Sequence, residues 1–116
     1  MSKEEILRGL KNVQMPDTPE NVRVHAEICE KLHRTYEAKN ADYGDSFARV
    51  RKKYPNAILI RLNDKLNRLE SLESGQCRKV SDESIEDTLL DLANYCIMEL
   101  VEREMERKEH ADTENL

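Results

Sequence analysis

Between Val80 and Glu102 the chain carries no basic residue, yet DESIEDTLLDLANY (residues 82–95) holds five carboxylates within the most apolar part of the sequence. An exposed helix keeps acids and apolar side chains on opposite faces. At about 100° per residue, Glu83, Asp87, Asp91 and Asn94 fall within about 80° of one another. Ile85, Leu89, Leu92, Cys96 and Leu100 lie opposite, while Leu90, Ile97, Met98 and Val101 crowd beside the acidic stripe. A helix apolar nearly all round is covered on more than one side. The stripe is therefore expected to line a cleft. Carboxylates one turn apart in such a place repel each other and need a cation, a bound proton or basic partners.

The rest of the chain shows helical periodicity and no alternation of period two. DTPE reads as a helix start, with Thr18 as N-cap, Pro19 at the first helical position and Glu20 in the first turn. That helix is predicted to reach about Lys39, with His25, Ile28, Cys29, Leu32 and Tyr36 on one face. KNADYGDSF breaks it, and Asp45 or Ser46 can cap a short helix over Phe47–Lys53. After YPN, Asn56 is expected to cap AILIRLNDKLNRLESL, which stops at Gly75. Ile58, Leu59, Leu62, Leu66 and Leu69 form its apolar face; Arg61, Asp64 and Arg68 form its polar one. QCRKV reads as a loop. The last helix is expected to start at Ser81 and run to about Arg107, before a charged, frayed tail.

One domain of 116 residues follows from this length, with its core at about 18–107, a polar lead at 1–16 and a tail at 108–116. The lead carries one weak amphipathic turn around Ile6, Leu7 and Leu10. With 37% charged residues, little apolar surface is left for a solitary globule, so a homo-oligomeric bundle is expected. A net charge of −5 disfavours direct nucleic-acid binding, which needs a basic footprint. The cluster Arg49, Arg51, Lys52 and Lys53 reads as a solvated helix turn. No signal peptide and no apolar run of about twenty residues is present, so a soluble cytoplasmic protein without membrane contact is expected. Three cysteines without a CxxC pair point to reduced thiols, with Cys29 and Cys96 as small core residues. The histidines have no zinc-ligand spacing with them.

Two arrangements would compensate the acidic stripe. Magnesium, or manganese in its place, takes a few carboxylates together with substrate phosphates; Asp64, Asp87 and Asp91 are its candidate ligands. Alternatively Arg61, Lys65 and Arg68 pair with the stripe as a structural ion network. The mixture of Asp64 with cations one turn either side suits a metal-bound polyphosphate better than a simple zipper. Glu27 and Glu30 have E-x-x-E spacing but project toward solvent, outside this site. No glycine-rich phosphate loop and no nucleophile triad stands out. The break at Asp42-Tyr43-Gly44 is either a plain turn or a loop that sets Lys39, Asn40 and Tyr43 over the cleft mouth.

KNADYGDSF, IRLNDKLNRLESL and DESIEDTLLDLANY together resemble the nucleotide-modification-associated domain family, the first of that name, over about residues 36–100. More distantly the pattern is similar to the MazG-like and dimeric dUTPase group of all-α nucleoside triphosphate pyrophosphatases. The resemblance implies an oligomeric helical bundle that holds magnesium and cleaves an NTP to NMP and pyrophosphate. Arg61-Leu-Asn-Asp64 stands where that distant group has E-x-x-E, and Asp87 and Asp91 are four apart rather than three. The metal-ligand set is correspondingly thinner.

The leading expectation is a magnesium-dependent pyrophosphohydrolase acting on a dNTP, including a modified one. In it Asp64, Asp87 and Asp91 hold the metal and Glu83 assists or serves as base. Lys39, Arg61, Lys65 and Arg68 neutralise phosphates, and Asn40, Tyr43 and Asn94 contact the rest of the nucleotide. Two readings from other classes stay open: a non-catalytic nucleotide-binding protein, such as a phage sponge for a signalling nucleotide, and a helical adaptor without ligand.

Overall fold

A computed structural model describes residues 2–4, 17–43, 45–75 and 84–114, without the side chains of Asp42 and Tyr43. Among them are four α-helices and no strand: α1 (Glu20–Tyr43), α2 (Ser46–Lys53), α3 (Ala57–Glu73) and α4 (Ile85–Glu114). The all-α expectation holds. No described helix is long and apolar enough to cross a membrane. The expected turn at Ile6–Leu10, the QCRKV loop, Cys77, Ser81 and Glu83 lie outside the described residues.

The chain divides into two units, Met1–Thr35 and Tyr36–Leu116. In the first, α1 opens after Pro19, whose carbonyl accepts from the amides of Val22 (3.1 Å) and Arg23 (3.3 Å). Over 20–35 its residues are exposed but for Leu32. Ile28 and Cys29, predicted to face a core, are exposed, so their helical phase alone does not bury them. Glu30 pairs along the helix with Arg34 at 3.8 Å.

The second unit holds the last turns of α1 together with α2, α3 and α4. α3 packs chiefly on α4, and α2 packs on α3. Pro55 ends α2: it pushes the preceding residue out of helical backbone, and Tyr54 is extended at φ −130°, ψ 92°. Asp45 and Asn56 precede α2 and α3 as expected, but neither side chain bonds the helix it starts. Their carbonyls enter the ladders instead, Asp45 accepting from the Arg49 amide at 3.1 Å and Asn56 from the Ile60 amide at 3.3 Å. α3 stops at Gly75, whose φ of 75° lies in the region that costs a side-chain-bearing residue steric strain.

α4 departs from prediction at both ends. Ser84 is its cap: the Asp87 amide donates to Ser84 Oγ at 3.0 Å, and the Ser84 amide donates to Asp87 Oδ2 at 3.5 Å. This is a capping box with Asp in the acidic position. The helix also continues past Arg107 to Glu114. The tail is helical because its charges pair at helical spacing, Arg107 with Glu104 and His110 Nε2 with Glu114 at 2.9 Å.

Few side chains in this unit are deeply buried: Phe47, Ala48 and Ala57 among the apolar ones, with Thr88 and Glu99. Leu59 and Leu66 of α3, and Leu89, Ile97 and Leu100 of α4, stay exposed. Cys96 is exposed too, which corrects its expected place in the core.

Candidate functional site

Within the second unit a cleft of about 280 Å³ opens between the four helices. The end of α1 lines it with Tyr36, Lys39 and Asn40. The start of α2 adds Asp45, Ser46, Phe47 and Val50. α3 contributes Arg61 and Lys65, one turn apart on one face, and α4 contributes Asp91, Asn94, Tyr95 and Met98. Of the residues expected at a site, Lys39, Asn40, Arg61, Lys65, Asp91 and Asn94 thus share one cavity. Asp64, Asp87 and Arg68 do not line it. Glu83 and the Tyr43 side chain lie outside the described residues.

The expected magnesium ligands do not assemble. Asp87 is exposed and engaged with the cap of α4. Asp64 is exposed, and Asp91 pairs with Lys65 Nζ at 3.0 Å. Among the described residues no three of His, Cys, Asp and Glu gather where they could hold a metal ion. The reason is geometric: a position three residues into α4 is the one whose carboxylate reaches back to the helix start. Asp64, Asp87 and Asp91 therefore do not form one cluster. Asp45, which the sequence reading treated only as a cap, joins Asp91 as a second carboxylate of the lining.

The lining has distinct regions. Lys39 and Arg61 come from different helices and have no ion-pair partner among the described residues. Phe47 and Tyr95 meet with ring centroids 6.0 Å apart and planes tilted by 55°, a packing that suits aromatic quadrupoles. Val50 and Met98 add further apolar lining. Tyr36 holds its proton more tightly than usual, because burial and then the charges of Asp45 and Glu102 disfavour the phenolate. It stays a hydrogen-bond donor.

Behind the cleft lies a network that the sequence reading missed. Arg51 donates Nε to Glu99 Oε1 at 2.8 Å and Nη2 to Glu99 Oε2 at 3.0 Å. It also bonds Glu106, while Arg103 Nε reaches Glu99 Oε2 at 2.7 Å. Arg51, expected in a solvated basic turn, has a side chain only 16% exposed. The Arg51 hydrogen bonds draw the Glu99 carboxyl down to about 2, and those of Arg103 help. Glu102 moves the other way, its carboxyl held above the ordinary range by burial and then by Asp45. The only sequence signal was Glu99 set among apolar neighbours, which does not name its partner 48 residues earlier.

No curated protein and no solved structure matches the chain. A family model described as Nucleotide modification associated domain 1 matches residues 39–102, the segment that runs from Lys39 at the cleft mouth to Glu102 behind it. With more than half of its length so matched, the chain belongs to the Nucleotide modification associated domain 1 family.

Proposed function

We propose that the chain binds a nucleotide, phosphate first, in the cleft between its four helices. One observation carries this reading: Lys39 and Arg61, cations from separate helices without ion-pair partners among the described residues, line one cavity together with the packed rings of Phe47 and Tyr95. Unpaired cations on a surface are ordinary. Two of them sharing one cavity with aromatic rings match an anion joined to a flat, stacking group. Tyr36, Asn40, Ser46 and Asn94 add the few polar groups that fix orientation in such a pocket. The family's description, association with nucleotide modification, agrees. Calorimetric titration with a panel of nucleotides tests it. Binding is expected for wild type and should weaken at least about tenfold in Arg61→Ala and Lys39→Ala, the scale of a lost charge-assisted bond. A folded wild type that binds no nucleotide refutes it.

A second reading, magnesium-dependent pyrophosphohydrolysis of a dNTP, draws on Asp45 and Asp91, since magnesium is commonly held by one or two carboxylates plus substrate phosphates. Metal-dependent release of pyrophosphate separates it from binding alone.

The chain is further proposed to act as a homo-oligomer. Lys65 of α3 meets Asp91 of α4 at 3.0 Å, and both residues line the cleft. By helical phase, exposed Leu59 and Leu66 of α3 and exposed Leu89, Cys96 and Leu100 of α4 turn away from the cleft-lining residues of their own helices. A twofold mate laid on these exposed residues covers the leucines.

A further inference from the structure

Resting on the nucleotide reading above, we infer that in the absence of divalent metal the cleft selects a nucleoside monophosphate over the corresponding triphosphate. The charge of the lining is the reason. Lys39, Arg61 and Lys65 are opposed by Asp45 and Asp91, which leaves one positive charge. Lys65 is moreover already engaged by Asp91 at 3.0 Å. Lys39 and Arg61 are left to meet the ligand, a pair suited to one phosphate.

A phosphate monoester brings about −1.5 to −2 charges at neutral pH, which two cations can balance. A triphosphate brings further charges into a lining that already contains two carboxylates. Those charges have no cation of their own among the described lining residues, and like charges at such distances repel by amounts that decide affinity. The surroundings reinforce this. Glu99 is neutralised by Arg51 and Arg103, so that network offers no spare cation. Asp45 also stands close enough to Glu102 to raise that carboxyl's cost of ionisation. Size agrees with charge: about 280 Å³ lies at the lower end of small-molecule pockets. A single phosphate, a sugar and a base against Phe47 and Tyr95 use that volume.

The test is equilibrium binding of the four common deoxynucleoside monophosphates and their triphosphates to the full chain in EDTA at low salt. It is repeated with magnesium and with Asp45→Asn, an exposed position whose replacement leaves the helix backbone untouched. The best-bound monophosphate is expected at least about tenfold tighter than its triphosphate in EDTA. Magnesium, which neutralises the phosphate chain, and Asp45→Asn, which removes one repelling charge, should each narrow that ratio. A triphosphate bound as tightly as its monophosphate in EDTA, or a ratio indifferent to both magnesium and Asp45→Asn, overturns the inference and leaves nucleotide binding standing. Failure of every nucleotide to bind overturns both.

Discussion

Replacing Arg51 by Met removes the cation from beneath a buried carboxylate while keeping most of the side chain's bulk. The Glu99 side chain is 10% exposed and that of Arg51 16%, so solvent screens their pairing little. The Glu99 carboxyl sits at about 2 against an ordinary 4.5, and each unit corresponds to about 1.4 kcal/mol. The whole depression is therefore worth about 3 kcal/mol. Arg103 remains in the variant, but at 64% exposure it supplies the smaller share. Arg51→Met is thus expected to cost about 2–3 kcal/mol at pH 7, close to the range for an orphaned buried charge. The sign of the pH dependence follows from the direction of the shift. A depressed carboxyl stabilises the fold fully above its unfolded value near 4.5, and that contribution is lost as pH falls through about 2. At pH 3 the penalty of the variant should be about half or less of that at pH 7. Urea unfolding at both pH values and at fixed protein concentration measures it. Arg51→Met combined with Glu99→Leu should recover most of the loss, since no buried charge is then left unpaired. A single-variant loss under about 0.5 kcal/mol, or one equal at pH 3 and pH 7, refutes the electrostatic account.

Glu102→Gln should raise stability at pH 7. Its carboxyl is held above the ordinary range, so its contribution is full below the unfolded value and lost as pH rises through the folded one; melting temperatures from pH 4 to 8 should rise and flatten in the variant. Ser84→Ala removes the hydroxyl that caps α4 and is expected to cost about 1 kcal/mol in the same urea assay; no loss would show that the cap is replaced by water. Leu100→Glu places a charge within the exposed face of α3 and α4 and should shift sedimentation from oligomer to monomer. In wild type a thiol reagent should modify Cys29 faster than Cys96, which a second copy would cover, and Leu100→Glu should abolish that difference.

Helix content, the breaks at Pro55 and Gly75, and the shared helical face of Arg61 with Lys65 and of Asp91 with Asn94 were legible from the sequence. They depend on local backbone chemistry and on which side chains share a helical face, and both are properties of residues a few positions apart. What periodicity could not supply was which face meets which neighbour. Ile58, Leu62 and Leu69 of the predicted apolar face of α3 are partly buried, whereas Leu59 and Leu66 stay outside because the contact with α4 falls to one side of them. Asp87 and Asp91 looked equivalent at one-turn spacing. Position decided between them: Asp87 is close enough to the start of α4 to close a capping box, and Asp91 is one turn further on, opposite Lys65. Arg51 and Glu99 are 48 residues apart and carry no common motif. Only the packing of α2 against α4 makes them partners, because burial forces each charge to find the other.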